Sequence, residues 1–342
     1  MAAKPSSLYA NHSPAILSRL NYSFFNETHD FACINAIAMY LEATHMRRVV
    51  HVGPTMAPGG MSSVIQLLAS NPPEGWRSSS CNTFSTKGIR RKMKRWRIAK
   101  KQIKNGDFDL VHIHSASDWS YRRKLSIAKV AKAPVIFHIH SGKFDIDTKS
   151  ELDDYQVVCL SEGWSEKLRH LIGDSISVPN PVDAQLNEGV ERECFTLLMG
   201  RNDPVKGHAF AYSLGLEDLR VTGVEQAPEG VTALGWVTEE EKWRLLQTAG
   251  CLIVPSDYEG QPMVILEALA AGCPVIASTN VPDLPECVKS ISLDDIEGWK
   301  NAISNPIIHG LEDAVAKHHI DIVTKQWGEI YDNIIDSKTS TE

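Results

Sequence analysis

Residues 251–278 read CLIVPSDYEGQPMVILEALAAGCPVIAS, and their pattern sets the fold. Leu252, Ile253 and Val254 form a short apolar run stopped by Pro255, and Pro274, Val275, Ile276 and Ala277 form a second, as in strands buried on both faces. Between them Pro262 suits a first helical position, residues 263–271 contain strong helix formers, and Gly272 suits a left-handed stop. The order strand, loop, helix, strand puts Glu259 on the loop and Glu267 inside the helix. Backbone around Gly260, Gln261, Pro262 and Met263 then opens a helix, where free N–H groups favour an anion. Ionised carboxylates only accept hydrogen bonds, so two of them beside an anion suit vicinal hydroxyls. The ordinary alternative is that both glutamates cap or solvate the helix.

Outward from this stretch the same alternation repeats. RRVVHVGPT at 47–55 reads as a strand, followed by a glycine loop and by the helix MSSVIQLLAS at 61–70. Further strands are expected at 110–114, 134–140, 156–160 and 176–179, with helices at 122–131 and 161–171. A polar stretch at 180–193 reads as a linker, and a second series of strands runs through 194–199, 219–222, 231–234, 251–255 and 274–277. This implies an α/β protein with two Rossmann-like parallel-sheet domains, residues 48–183 and 194–311, facing across a cleft. Residues 1–47 form an N-terminal extension, apolar enough at 30–45 for one helix. Residues 312–342 hold a last helix whose Trp327 and Tyr331 would pack back toward the first domain.

With 342 residues, 43% hydrophobic and 23% charged, the composition is that of a soluble globular protein. Its seven cysteines are scattered and lack a Cys-x-x-Cys pair, which indicates reduced thiols in a cytoplasmic setting and argues against structural zinc. No apolar run approaches the roughly 20 residues of a membrane span. A net charge of −7 excludes nucleic acid as a partner of the whole chain. Residues 87–104 differ, with ten Lys or Arg and no acid, while Ile89, Met93, Trp96 and Ile103 recur about one helical turn apart. Such a helix suits a solvated core face, an anionic membrane surface or a phosphate backbone. An anionic membrane surface, with peripheral attachment at the inner membrane, is the partner expected for it.

Four constellations fall at strand ends, where ligands of parallel sheets bind. Gly59 and Gly60 follow the opening strand and would let backbone approach a phosphate or sugar, or simply make a tight turn. His138 and His140 end another strand on one face, with His140 nearest the loop. It would contact a sugar hydroxyl, steady a reacting group, or serve structure alone. His112 and His114 share that ambiguity, and the four together raise a metal site that no Asp or Cys completes. Arg201 and Lys206 follow the strand CFTLLM, where two cations would neutralise a diphosphate as a bond to it breaks. Glu259 and Glu267 are the fourth. The Asp-x-Asp pairs Asp107 with Asp109 and Asp145 with Asp147 read as turn acids, so no metal is expected.

In order along the chain, GR, KGH, LGWV and SDYEGQPMVILEALAAGCPVIAS resemble glycosyltransferase family 4, retaining enzymes of the GT-B fold. VVHVGP with APGG, DLVHIHSAS followed by SYRRK, VIFHIHSGKF, VVCLSEGWSEKL and VPNPVD resemble its polysaccharide-building members over residues 47 to 290. The resemblance implies transfer of a sugar from a nucleotide-sugar donor, UDP- or GDP-linked, to a glycan or lipid-linked glycan, without metal or resident cofactor. Arg201 and Lys206 would bind the donor diphosphate, and Glu259 with Gly260, Gln261, Pro262 and Met263 would hold the donor sugar. Glu267 would take the ribose hydroxyls and Val237 would lie beside the base. Gly59 and Gly60 would approach the phosphate from the other domain, and His140 would contact the sugar near the reacting carbon. The chain departs from the family in a short connection between Lys206 and the LGWV strand, in STNVPDLPECV where a glycine pair often stands, in a short segment after SGKF, and in Lys143 where an acid is common. These trims keep open a non-catalytic nucleotide-sugar or glycan-binding relative, and the two-domain scaffold also admits a nucleotide-sugar epimerase or phosphorylase.

Overall fold

Two six-stranded, wholly parallel sheets organise the computed structural model, which describes residues 46–86, 88–116, 119–141, 148–187 and 189–339. The expected helix at 30–45, Lys87, Gly142, Lys143 and the pair Asp145 with Asp147 lie outside the described residues. The first sheet has the order β2-β1-β3-β4-β5-β6, with β1 at Arg47–Gly53, β2 at Trp76–Asn82, β3 at Leu110–Ser115, β4 at Val135–Ile139, β5 at Gln156–Cys159 and β6 at Ile176–Ser177. The second has the order β12-β11-β10-β7-β8-β9. Its strands are β7 at Thr196–Leu198, β8 at Leu219–Val221, β9 at Val231–Ala233, β10 at Cys251–Val254, β11 at Val275–Ser278 and β12 at Lys289–Ile291. In each sheet the connection reverses direction once, between β1 and β3 and between β7 and β10. Loops leaving the carboxyl ends of those pairs diverge there and leave a crevice.

Local chemistry explains the elements. The central strands β3, β4, β10 and β11 are buried at every position, as double coverage by helices requires. Helix Met263–Ala270 begins one residue later than its proline suggested, because Pro262 keeps an extended ψ of 116° and stands just ahead of the helix. The expected stop holds, with Gly272 at φ +68°.

Two strands escape the sequence pattern. β2, WRSSSCN, is the outermost strand of the first sheet and carries serines, so it shows no apolar run; β12 is a three-residue edge. The C-terminal region is also broken up, into helix Leu311–Val315, a 3-10 turn at Ala316–His318 and helix Ile320–Thr339. The last helix packs on the first sheet: Trp327 lies 4.3 Å from His112 and Tyr331 lies 5.1 Å from Trp76, measured between ring centroids. Asp332 accepts hydrogen bonds from Arg47 at 2.7 Å and from the Trp76 indole at 3.0 Å.

The basic segment is a helix, Ile89–Asn105, and its apolar stripe divides. Ala99 and Ile103 are buried, and the Trp96 indole donates to Ser126 Oγ at 2.9 Å, so one face belongs to the core. Ile89, 78% exposed, and Met93, 40% exposed, sit among lysines and arginines on an open side, and Ile98, also exposed, projects from the side of the helix opposite Ile89. No helix among the described residues is long and apolar enough to cross a membrane.

Candidate active site

A cavity of about 450 Å³ opens where the carboxyl ends of the two sheets meet. Gly59, Gly60 and His140 line it on one side, and Arg201, Lys206, Val237, Glu259, the 260–263 backbone and Glu267 on the other, whereas His112, His114 and His138, also singled out from the sequence, are buried away from it. Gly59 and Glu267, far apart in the chain, thus face one cavity from its two sides. The two sides touch: a Cβ on Gly60 would stand 3.0 Å from Met263 Cγ, and one on Gly260 only 2.8 Å from the His140 carbonyl oxygen. Hydrogen bonds hold the same seam. The Trp164 indole donates to Gly260 O at 3.1 Å, and Asn180 N donates to the Gln261 side chain at 2.8 Å.

On the second-sheet side, β7 leads through Gly200 and Arg201 into a 3-10 turn, Pro204–Lys206, capped by the Asp203 carboxylate at 3.2 Å from Val205 N. Gly207 closes the turn at φ +73°, and any Cβ there would meet Pro255 O at 2.0 Å, so only glycine lets the turn lie against β10. That packing delivers Lys206 to Glu259, with Nζ 2.5 Å from Oε1. Ser256 Oγ donates to the same carboxylate at 2.8 Å. Arg201 is more open and pairs with Asp203 at 3.1 Å. Two cations thus stand at the strand ends, each held by a carboxylate.

Glu267 is buried on helix Met263–Ala270 and accepts from Lys242 Nζ at 2.7 Å. Burial raises its carboxyl above the ordinary value, against the pull of Lys242. Burial likewise opposes the Lys242 ammonium, but the carboxylates of Glu267 and Glu239 outweigh it and hold its pKa above that of a free lysine. Sequence reasoning missed Lys242, because a lysine in TEEEKW beside three glutamates looks like a solvated helix start. Thr238 does cap that helix, Glu239–Thr248, by accepting from Glu241 N. Trp236, Thr238 and Glu239 join Lys242 at the cavity and were also unforeseen.

On the first-sheet side, Gly59 has φ +124° and ends the loop before helix Gly60–Ser70. His140 lies just beyond β4, with its Nε2 3.0 Å from His114 Nδ1. Burial, and then the nearby charge of Lys124, bring its pKa down to about 3, so the ring is neutral. The arrangement brings two carboxylates, two cations and a neutral imidazole to one cavity, a set whose chemistry suits hydroxyl groups and an anion.

Comparisons with known proteins agree with this geometry. Residues 197–306 match the family model described as glycosyl transferases group 1. O-antigen chain mannosyltransferase B of Escherichia coli is 40% identical over 80 residues, which make up 23% of this chain and 21% of that protein. A phosphatidyl-myo-inositol mannosyltransferase of Mycolicibacterium smegmatis is 26% identical over 251 residues, 60% of this chain and 64% of that protein. The chain therefore aligns with about a fifth of the first relative's length and just under two thirds of the second's. Among solved structures, the sucrose-phosphate synthase of Thermosynechococcus elongatus superposes with a TM-score of 0.64 at 16% identity, covering 85% of this chain and 100% of that one. With its two parallel sheets, this likeness identifies the fold as the two-domain GT-B fold.

Proposed function

We propose, from a group 1 glycosyl transferase domain over residues 197–306 set in a GT-B fold, that the protein moves a sugar from a nucleotide-sugar donor to a glycan or lipid-linked glycan with retained configuration. The observation that carries this reading is the convergence of Arg201, Lys206, Glu259 and Glu267 on one cavity wall. Arg201 and Lys206 bind the diphosphate of a UDP- or GDP-sugar. Glu259 and the 260–263 backbone hold the sugar, and Glu267, steadied by Lys242, takes the ribose hydroxyls. Val237 flanks the base, while Gly59 and Gly60 let the opposite wall approach the phosphates.

In the reaction the bond from the anomeric carbon to the diphosphate breaks, and its electron pair leaves on the diphosphate oxygen. An acceptor hydroxyl forms the new bond on the same face, and its proton passes to the departing oxygen. Arg201 and Lys206 neutralise the charge that develops, which is the work a divalent ion does elsewhere, so the transfer proceeds without one. His140 bonds the sugar near the reacting carbon. Contact across the Gly260–His140 seam keeps water from replacing the acceptor. A panel of UDP-, GDP- and ADP-sugars with glycan acceptors tests this. Binding and transfer with at least one donor, with the anomeric configuration preserved in the product, is expected. Binding of none would sink the reading, and binding without turnover on any acceptor would favour a non-catalytic relative.

The acceptor is brought by a membrane in this reading, with the protein peripheral at the cytoplasmic face. Ile89 and Met93, exposed on one side at the start of helix Ile89–Asn105, enter the interface while the neighbouring lysines and arginines meet anionic headgroups. Retention on vesicles containing phosphatidylglycerol should fall steeply as salt is raised. The pair Lys94→Glu and Arg97→Glu should weaken it by at least about tenfold, at roughly 1 kcal/mol per surface cation. Equal retention on neutral phosphatidylcholine vesicles would remove the membrane from the proposal.

A further inference from the structure

Five histidines converge behind the cavity wall. His51 comes from β1, His112 and His114 from β3, His138 from β4 and His140 from the residue after it. Parallel registers pair His51 with His112 and His114 with His138, so alternation sends all five rings to one face of the sheet. The first four are buried, and His140 closes the row at the cavity. His112 and His114 stack at 4.2 Å between centroids and His138 and His140 lie 4.0 Å apart.

Their nitrogens make two separate chains. In one, His140 Nε2 meets His114 Nδ1 at 3.0 Å, and His114 Nε2 meets His51 Nδ1 at 3.1 Å. In the other, His138 Nδ1 meets His112 Nε2 at 3.3 Å, and His112 Nδ1 meets the Tyr331 hydroxyl at 2.7 Å. Burial leaves these rings neutral: the pKa of His51 and of His140 falls to about 3, and those of His112, His114 and His138 fall well below the ordinary value. The charged group felt by His140 is Lys124, which lowers it further.

A neutral imidazole has one N–H and one lone pair. Each of the two links in the first chain needs one proton, so its three N–H groups must all point the same way. Pointed inward, they end at His51 Nε2, which is buried with no hydrogen-bond partner among the described residues. Pointed outward, they leave His51 Nε2 as a bare lone pair and put the last N–H on His140 Nδ1. Buried N–H groups without a partner are rarer than acceptors short of one, so the outward direction prevails. We infer that His114, backed by His51, is a positioning residue that fixes His140 as its Nδ1–H tautomer, so that the cavity presents a hydrogen-bond donor to an oxygen of the bound sugar.

The ligand named here rests on the glycosyl-transfer reading, whereas the tautomer does not. A competing use of the rings is a metal ion, since His51, His112 and His114, and likewise His114, His138 and His140, each bring ring nitrogens within 4.8 Å of one another. Neither group contains a carboxylate or thiolate, so a divalent ion would carry its whole charge into the buried layer. The histidine chain needs no such charge.

Protein labelled with ¹⁵N-histidine and assigned through single His variants tests the inference by long-range ¹H–¹⁵N correlation, without reference to activity. Wild type should show His140 as one tautomer with the proton on Nδ1. His114→Phe should turn that signal into a mixture, and His114→Asn, whose amide nitrogen stands near the lost Nδ1, should restore it. With an active donor, His114→Phe should lower kcat about tenfold, the worth of one misaligned hydrogen bond, at nearly constant donor KM, and His114→Asn should recover most of the loss. A proton on Nε2 of His140 in wild type, an unchanged signal in His114→Phe, or a stoichiometric bound metal that shifts these rings would each overturn the inference. Should His114→Phe fail to fold, the wild-type spectrum still decides the tautomer. Correct tautomers with no sugar transferred would leave the inference standing and remove the donor reading instead.

Discussion

Lys206→Ala is expected to lower kcat/KM for the donor by about 10²- to 10³-fold, the cost of losing one preorganised charge at a developing anion. Lys206 owes its position to a turn that only Gly207 allows, and it stands 2.5 Å from Glu259 at the end of β7. Its loss does two things at once. In the proposed reaction a cation would disappear from the departing diphosphate, and the Glu259 carboxylate, left with Ser256 as its hydrogen-bond donor, would repel the incoming phosphates. Both kcat and KM should therefore worsen. Glu259→Gln keeps the Lys206 charge and should act mainly through the sugar. Arg201→Ala should cost less than Lys206→Ala, because Arg201 is 53% exposed and already shares Asp203. Steady-state kinetics over a donor titration check the order. A loss below about tenfold for Lys206→Ala would take this residue out of leaving-group stabilisation.

Lys124→Met should stabilise the protein by about 4 kcal/mol at pH 7, an effect opposite to that of most core substitutions. Lys124 is 4% exposed on helix Trp119–Ala128, and among the described residues its Nζ has one hydrogen-bond partner, Ser120 Oγ at 3.0 Å. Burial, assisted by the charge of Arg123, pulls its pKa from 10.5 to about 7. The folded pKa is below the unfolded one, so between pH 7 and 10.5 the unfolded chain binds more protons and stability climbs with pH. Below pH 7 both states are protonated and the full penalty applies. Urea unfolding of wild type and variant at pH 6, 7 and 10 measures this directly. The variant's advantage should be largest at pH 6 and nearly gone at pH 10. An advantage that does not change with pH, or none at pH 6, would show that the lysine is accommodated without cost. The lysine's charge also reaches His140, so a group that weakens the fold stands beside the cavity wall.

Much of this architecture is legible in the chain before folding is considered. Strands such as LVHIHS and CLIV are short, apolar and punctuated because parallel strands covered on both faces allow little else. β2 shows the limit of that signal: an outer strand with an open side tolerates SSS, and nothing apolar marks it. The stripe of the basic helix shows another limit. Spacing alone describes Ile89, Met93, Trp96 and Ile103 as one face, yet packing against Ser126 and β2 takes Trp96 and Ile103 and leaves the other two in water. At the cavity, residues in a recognisable local order, such as Glu259 and Glu267 around a helix start, could be picked out. Lys242 could not, because its meaning depends on Glu267, 25 residues away.

Local pattern in the chain determined most of the succession of strands, loops and helices, the edge strands β2 and β12 apart, and put glycines, cations and carboxylates just beyond strand ends. These are local facts, set by side-chain period and backbone freedom within a few residues. Tertiary structure alone decided that Gly260 abuts the His140 carbonyl, that five histidines share one buried face with Tyr331, and that Lys124 has lost its water. Proton state and ion pairing follow from distance and desolvation, and both come into being only when distant segments pack together.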